Sequence, residues 1–330
     1  MSVSVVLEWE NMAHAASDRP RQTMAALRAQ ADALYPGKAG QPKPEDSVRL
    51  SAPLEVILPY DSDKVDEADL LNNVADLLTD TESLRVRLLP VINGTYCRQK
   101  NEGAAGSTGD LIIFLDSDVT PEPTWLTAYL KAFLDPRVQV AVGNTYVDTS
   151  RGDAYSRAMA LTWMFPLRDT VGGLGPTKWF YANNVAFRRD VFRSHPFPET
   201  PGIKHHPAAL LVQQLERDGI PLWHAGDARG HHPPPNGFMH FFTRAVAAGR
   251  ERTLRETQPS LATVRRWLRS DLPDMAWYCK RILVERSTVN MPWRQVPAAI
   301  VVALAYHTLR LFGSLATYWA PGLMRDRFQI

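Results

Sequence analysis

The 330-residue chain holds only two cysteines, Cys97 and Cys279, far apart in sequence. They offer no disulfide framework, which fits a reducing compartment. Net charge is scarce as well. Lys and Arg number 37 against 35 Asp and Glu, a balance of +2 that argues against a dedicated nucleic-acid binder. The N-terminus lacks a basic stretch, and Glu8 and Glu10 break its first apolar run, so it does not read as a signal peptide. No internal repeat is visible. A membrane span needs about 20 apolar residues with few charges; the longest candidate, Val296 to Ala320, is interrupted by His307 and Arg310. What remains, 45% apolar and 22% charged, is ordinary globular composition. The length suits one large domain or one and a half.

The most informative stretch runs from Gly109 to Asp118. Five consecutive apolar residues, Leu111 to Leu115, suit a strand buried on both faces. The strand leads straight into Asp116-Ser117-Asp118. On an extended chain the two carboxylates would point the same way, with Ser117 opposite. Ligands of open α/β sheets bind outside the carboxyl ends of the strands. Two hard oxygen donors there suit Mg²⁺ or Mn²⁺ shared with substrate phosphates. The same residues also make an ordinary turn, so the acidic pair alone leaves both readings open.

Around it the pattern alternates strand and helix, which predicts an α/β fold. Strands are expected at Ser4 to Leu7, Leu54 to Leu58, Leu84 to Val91, Val138 to Val147 and Ile220 to His224. Helices are expected at Pro20 to Leu34, Leu70 to Leu78, Trp125 to Leu134, His240 to Ala248 and Leu261 to Leu268. Another helix is expected to begin at Lys100 and Asn101. A cation at a helix start, beside exposed N–H groups, would favour a diphosphate. Gly103 to Gly106 are weak helix formers unless something packs close, and a nucleotide is the obvious candidate.

Lys100-Asn101-Glu102-Gly103, Gly106-Ser107-Thr108-Gly109-Asp110, the apolar strand and Asp116-Ser117-Asp118 together resemble the nucleotide-sugar half of family 2 glycosyltransferases, an inverting family with a GT-A fold, which implies a doubly wound, Rossmann-like mixed α/β sheet. A second block, Trp179 to Phe192, resembles the family's Asn-bearing strand followed by Phe-Arg-Arg and a helix. The resemblance spans roughly Val3 to Gly249. It implies a nucleotide-sugar and acceptor domain over 1–240 and a helical region over 241–330. It implies transfer of a sugar, with inversion, from a nucleotide diphosphate, most readily a UDP-sugar, to a saccharide, lipid-linked or small-molecule acceptor (a hexosyltransferase-like activity of EC class 2.4). Mn²⁺ or Mg²⁺ would sit on Asp118, Asp116 and His232. The donor would meet Glu8, Glu10, Asp61, Lys100, Asp116, Asn183 and Asn184, with Asp63 as the alternative to Asp61. Asn11 matches the family's first turn, while Glu8 and Glu10 replace its proline and tyrosine.

The largest departure concerns the base. The family's catalytic aspartate falls at or near Ala208, and no carboxylate lies between Glu199 and Glu216. His206 is the nearest group with a pKa suited to proton abstraction near neutrality; His205 and Glu199 are further candidates, and the remaining readings are that no base is present because the acceptor is already ionised or catalysis is lost. Two other classes compete: a nucleotide-sugar-binding protein without transferase activity, and a nucleotidyltransferase. The latter would be expected to carry a Gly-rich, basic loop after the first strand, where this chain has Glu8-Trp9-Glu10-Asn11.

From Arg244 to Arg286 ten basic residues face five acidic ones. Beside the apolar Val296 to Ala320 segment, this predicts either a helix packed on the body or in a homodimer, or one lying in a bilayer interface. The second reading implies a cytoplasmic protein held peripherally at the inner face of a membrane.

Overall fold

A computed structural model of the chain describes residues 1–9, 18–35, 48–168, 172–199, 207–254, 256, 260–322 and 324. Two compact units divide it: Met1–Thr145, Arg168–Thr200 and His206–His232 form the first, and Tyr146–Leu167, Pro201–His205 and Pro233–Ile330 the second.

The strands are β1 (Val3–Glu8), β2 (Leu54–Asp61), β3 (Leu84–Val91), β4 (Leu111–Asp116), β5 (Thr120–Pro121), β6 (Val140–Val147), β7 (Leu174–Thr177), β8 (Asn184–Arg188) and β9 (Leu222–His232). They form one mixed sheet in the order β3-β2-β1-β4-β8-β6-β9-β5, with β7 paired to β9. β1, β2, β3 and β4 run parallel, and β8 runs antiparallel to β4. A parallel sheet must be covered on both faces, so its strands read as continuous apolar runs. β1 and β4 are buried at every position. This is the mixed α/β sheet, with a helical C-terminal region, that the sequence implied.

In the first unit the helices are α1 (Arg19–Leu34), α2 (Glu67–Val74), α3 (Tyr96–Ala105), α4 (Trp125–Ala132), α6 (Arg189–Ser194) and α7 (Pro207–Arg217). α3 corrects the sequence reading. Thr95, not a residue near Lys100, is its N-cap, and its side chain accepts from the Arg98 N–H. Lys100 therefore sits mid-helix, away from the free N–H groups of the first turn. Gly103 is explained by β1 and not by a nucleotide: a Cβ there would lie 2.5 Å from Val6 Cγ1.

The second unit holds α5 (Ala154–Thr162), α8 (Gly237–Leu254), α9 (Leu261–Glu285) and α10 (Val296–Trp319). α8 and α10 cross at two glycines. A Cβ on Gly249 would stand 1.9 Å from the Arg310 carbonyl oxygen, and one on Gly313 would stand 2.2 Å from that of Val246. Ser314 Oγ donates to the Gly249 carbonyl at 2.9 Å, and Thr253 Oγ1 to the Ser314 carbonyl at 3.0 Å. Gly249→Ala is expected to destabilise this unit by about 1–3 kcal/mol through overpacking, read by chemical denaturation. An unchanged midpoint would mean that the helices separate freely.

Behind this crossing Asp271 is buried and accepts from both Arg252 and Arg310 at 2.8 Å. His307 is buried nearby, its ring stacked on Tyr278 at 4.3 Å. Neither of its ring nitrogens meets a hydrogen-bond partner among the described residues. Burial, then the Arg310 charge, pull its pKa down from 6.5 to about 4, against the opposing pull of Asp271. The unfolded chain thus binds a proton between those values that the folded one refuses. Stability should be full above pH 6.5 and fall by about 3 kcal/mol as the pH drops to 4. His307→Leu should show a shallower loss over that window in melts run at pH 7 and pH 5; equal losses would count against it.

Candidate active site

The carboxyl ends of β1, β2 and β4 lie at one edge of the sheet, and β8 begins there because it is antiparallel. Four pieces of chain meet around the end of β4. Glu8 is in register with Asp116, and Asn184 with Leu115. α3 presents Tyr96 and Lys100, and β9 brings His232 to Asp118.

β4 stops at Asp116, and Ser117 and Asp118 form a turn closed by the Val119 N–H on the Asp116 carbonyl at 3.0 Å. The alternation expected of an extended chain therefore ends one residue too early to align the two carboxylates. Each takes its own partners. The fully buried Lys100 donates from Nζ to Asp116 Oδ1 at 2.7 Å. The Tyr96 hydroxyl donates across both Asp116 oxygens at 3.0 and 3.2 Å. Burial first, then the Asp116 and Glu8 charges, push the Tyr96 phenol well above its usual value, so it remains a proton donor at any physiological pH. Lys100 Nζ also lies 4.6 Å from the Tyr96 ring centroid. Lys100 is thus a buried counter-charge to Asp116 instead of a surface cation awaiting a phosphate. Tyr96 is a site residue that sequence reading missed; its only signal was its place one turn before Lys100 on the same helix face.

Asp118 is buried, with its Oδ2 3.3 Å from Nε2 of the equally buried His232. Two ligands of one octahedral ion, each at about 2.1 Å, stand about 3 Å apart, so this pair fits a shared divalent cation. Among the described residues no cluster of three His, Cys, Asp or Glu side chains could hold a metal alone. A cation here would need further oxygens, as magnesium-type sites take them from substrate phosphates. His232 is in β9 itself, not in a proline loop, because the strand continues from Leu222 to the Pro233 that ends it. Its neighbour His231 pairs with Thr120 of β5, and its Nδ1 lies 3.0 Å from Arg19 Nη1.

The remaining candidates divide. Asp61 is buried at the end of β2 with Lys64 Nζ 2.6 Å from Oδ2. Burial would raise its pKa, but Lys64 and the Gly94 and Asp63 N–H groups outweigh that and hold it below the usual carboxylate range. Asp63 is exposed and caps the Asn93 N–H. Asn183 is buried; its carbonyl accepts from the Asp116 N–H at 3.3 Å, and its Oδ1 from Thr145 Oγ1 at 3.3 Å. Asn184 is turned into the core: Oδ1 accepts from Trp125 Nε1 and the Tyr129 hydroxyl, and Nδ2 donates to the Ala228 carbonyl. Both acceptor lone pairs are spoken for, so its side chain positions strands and does not reach toward a donor. Glu8 is fully buried in β1. Ala208 is buried at the head of α7, where the resemblance expected a base. Glu199 accepts from Asn101 Nδ2 at 3.1 Å, and the same amide clamps both the N–H and the carbonyl of Phe197. Glu10, Asn11, His205 and His206 lie outside the described residues.

At this edge β1, β2 and β4 end in Glu8, Asp61 and Asp116, and Asp118 in the following turn lies beside His232. Residues 47–195 match the family model of Glycosyl transferase family 2. The glucosyl-dolichyl phosphate glucuronosyltransferase of Haloferax volcanii is 26% identical over 191 residues, covering 54% of this chain. The match spans 59% of that relative's length. Among solved structures, Staphylococcus aureus TarS 1-349 in complex with UDP-GlcNAc superposes with a TM-score of 0.49 at 12% identity, over 96% of this chain and 92% of that one. Mannosyltransferase PcManGT from Pyrobaculum calidifontis, in complex with GDP-Man and Mn²⁺, does so with a TM-score of 0.49 at 13% identity, over 99% and 83%.

Proposed function

We propose that the chain is an inverting glycosyltransferase that binds a nucleoside-diphosphate sugar, with a UDP-sugar as the first candidate, at the end of β4. The observation that carries this reading is the convergence of Asp118 and His232, at the edge where the family 2 segment ends its central strand. A divalent ion, Mn²⁺ or Mg²⁺, would bind Asp118 and His232 and offset charge developing on the departing diphosphate. Asp116, paired with Lys100, fixes α3 to the sheet edge; Tyr96 supplies a neutral donor beside it. Asn183 ties the start of β8 to the backbone of Asp116, which supports a role in holding the sugar in line for attack. Asp61, at the neighbouring strand end, suits the ribose or base.

The acceptor we infer is lipid-linked, because the matched relative is named for a dolichyl phosphate substrate; it would place the protein peripherally on a cytoplasmic membrane face. Screening nucleotide sugars for thermal stabilisation, with and without Mn²⁺, tests the donor reading, since selective binding raises apparent stability by mass action. Stabilisation by one UDP-sugar only in the presence of Mn²⁺ is the expected result; none across the panel would sink it.

One observation favours a second reading. Ala208 stands where the resemblance expected a carboxylate, which would suit a nucleotide-sugar-binding protein without transfer. The sequence-based candidate for the base, His206, separates the two. His206→Ala is expected to lower transfer by roughly 10²–10⁴-fold, the usual range for general acid–base work, with donor affinity unchanged. Near-normal turnover in that variant would remove His206 from the mechanism.

A further inference from the structure

We infer that the outer face of α10, with the basic flank of α9, docks flat on an anionic lipid bilayer. The inference rests on the second unit alone and is independent of the transferase reading. The segment Trp293–Trp319 is long and apolar enough to cross a membrane, with a mean hydropathy of 1.5 over its most apolar window, yet only 33% of that window is buried. A helix on the surface of a soluble protein turns charged residues to water. Here the outward stripe runs Val301, Leu304, Thr308, Phe312 and Trp319, a spacing of three, four or seven residues, and it carries no charge. Val301 is 65% exposed, Phe312 48% and Trp319 64%. Trp293, 61% exposed, stands at the opposite end from Trp319. Tryptophans at both ends of an apolar segment are interfacial anchors.

The charges beside the stripe select the occupant. α9 exposes Arg265, Arg269 and Lys280, whereas its acidic residues are each paired with an arginine: the buried Asp271 and the exposed Asp274 with Arg310, and Glu285 with Arg281. A second copy meeting this face by two-fold symmetry would set that basic flank against itself. An anionic headgroup layer would neutralise it, at about 1 kcal/mol per basic side chain. Crossing the bilayer is a different matter. α10 is fastened to α8 through Gly249 and Gly313, and α8 carries Arg244, Arg250, Glu251 and Arg252. A spanning α10 would carry those charges into hydrocarbon, where each is strongly unfavourable. The geometry therefore favours a helix lying in the interface plane, its apolar stripe in the acyl boundary.

The test uses the full chain with phosphatidylcholine vesicles, with and without phosphatidylglycerol. Co-sedimentation is expected only with the anionic vesicles, lost at high salt, and released by carbonate wash. The Val301→Asp/Phe312→Asp double variant, altered only on the exposed stripe, should partition about 100-fold less. Circular dichroism and a melt would verify its fold. Separately, Arg265→Glu/Arg269→Glu/Lys280→Glu should abolish the preference for anionic lipid. Wild-type protein that stays in the supernatant would overturn the inference. So would binding unaffected by the stripe variant, retention after carbonate wash, or a solution dimer that Phe312→Asp dissolves.

Discussion

Replacing Lys100 by methionine is expected to lower the unfolding free energy by about 3–5 kcal/mol, the range for removing one partner of a buried ion pair. Lys100 is fully buried and its ammonium is 2.7 Å from Asp116. Methionine keeps the stem volume but takes away the ammonium that faces the Asp116 carboxylate, with Tyr96 still donating to it. The Tyr96 hydroxyl shares its one proton across both oxygens, so it softens the loss without cancelling it. For a unit of this size each kcal/mol moves the melting midpoint by about 2–4 °C, so a fall of roughly 10 °C should appear in a thermal melt. Adding Asp116→Asn to Lys100→Met removes the orphaned charge and should recover part of the loss. That recovery separates an electrostatic cause from simple repacking. A lysine that merely touched phosphate from the surface would leave the melt of ligand-free protein unmoved.

The second large effect falls on chemistry. Asp118→Ala should reduce sugar transfer by about 10³-fold or more, because transition-state stabilisation by a bound cation amounts to several kcal/mol, while the ligand-free protein stays folded. The contrast with Lys100 follows from partners. Asp116 is locked to a buried lysine within the protein; Asp118 stands beside His232, 3.3 Å from its Nε2. His232→Ala should follow Asp118→Ala in direction at a smaller magnitude, since the carboxylate supplies the negative charge.

How much of this could be read from residues alone varies with the range of the interaction that decides it. β4 and its acidic end were legible, since a run of Leu, Ile and Phe breaking into Asp-Ser-Asp is a local pattern. So were β3, which opens on the alternation Leu84-Arg85-Val86-Arg87-Leu88, and α10, whose apolar character continues past His307 and Arg310. The sequence reading starts a helix at Lys100, but Asn93-Gly94-Thr95 holds the true boundary: Asn93 is left-handed at φ 52° and Thr95 caps the helix. A shift of four residues places Lys100 mid-helix, against Asp116 in the core. Gly103 reads from sequence as room for a nucleotide, and only the approach of Val6, almost a hundred residues away in the chain, explains it. Asn184 fails for the same reason: its partners Trp125, Tyr129 and Ala228 are tertiary. β9 ran past its expected end because alternate burial of Ala228, Gly230 and His232 continues the strand, which local composition, rich in His and Pro, conceals. α9 likewise continues from Leu268 to Glu285 through Pro273, and Asp271, held by Arg252 and Arg310, fastens the helix just before that proline.

Isothermal titration of UDP into the full chain bears most directly on the site. In the presence of Mn²⁺ the wild-type protein should bind UDP, and chelation of the metal should remove that binding. Asp118→Ala should bind no more tightly with Mn²⁺ than without it, at an unaltered melting midpoint. Unchanged Mn²⁺-dependent UDP affinity in folded Asp118→Ala would contradict the assignment of Asp118 and His232 as the place where metal and diphosphate meet.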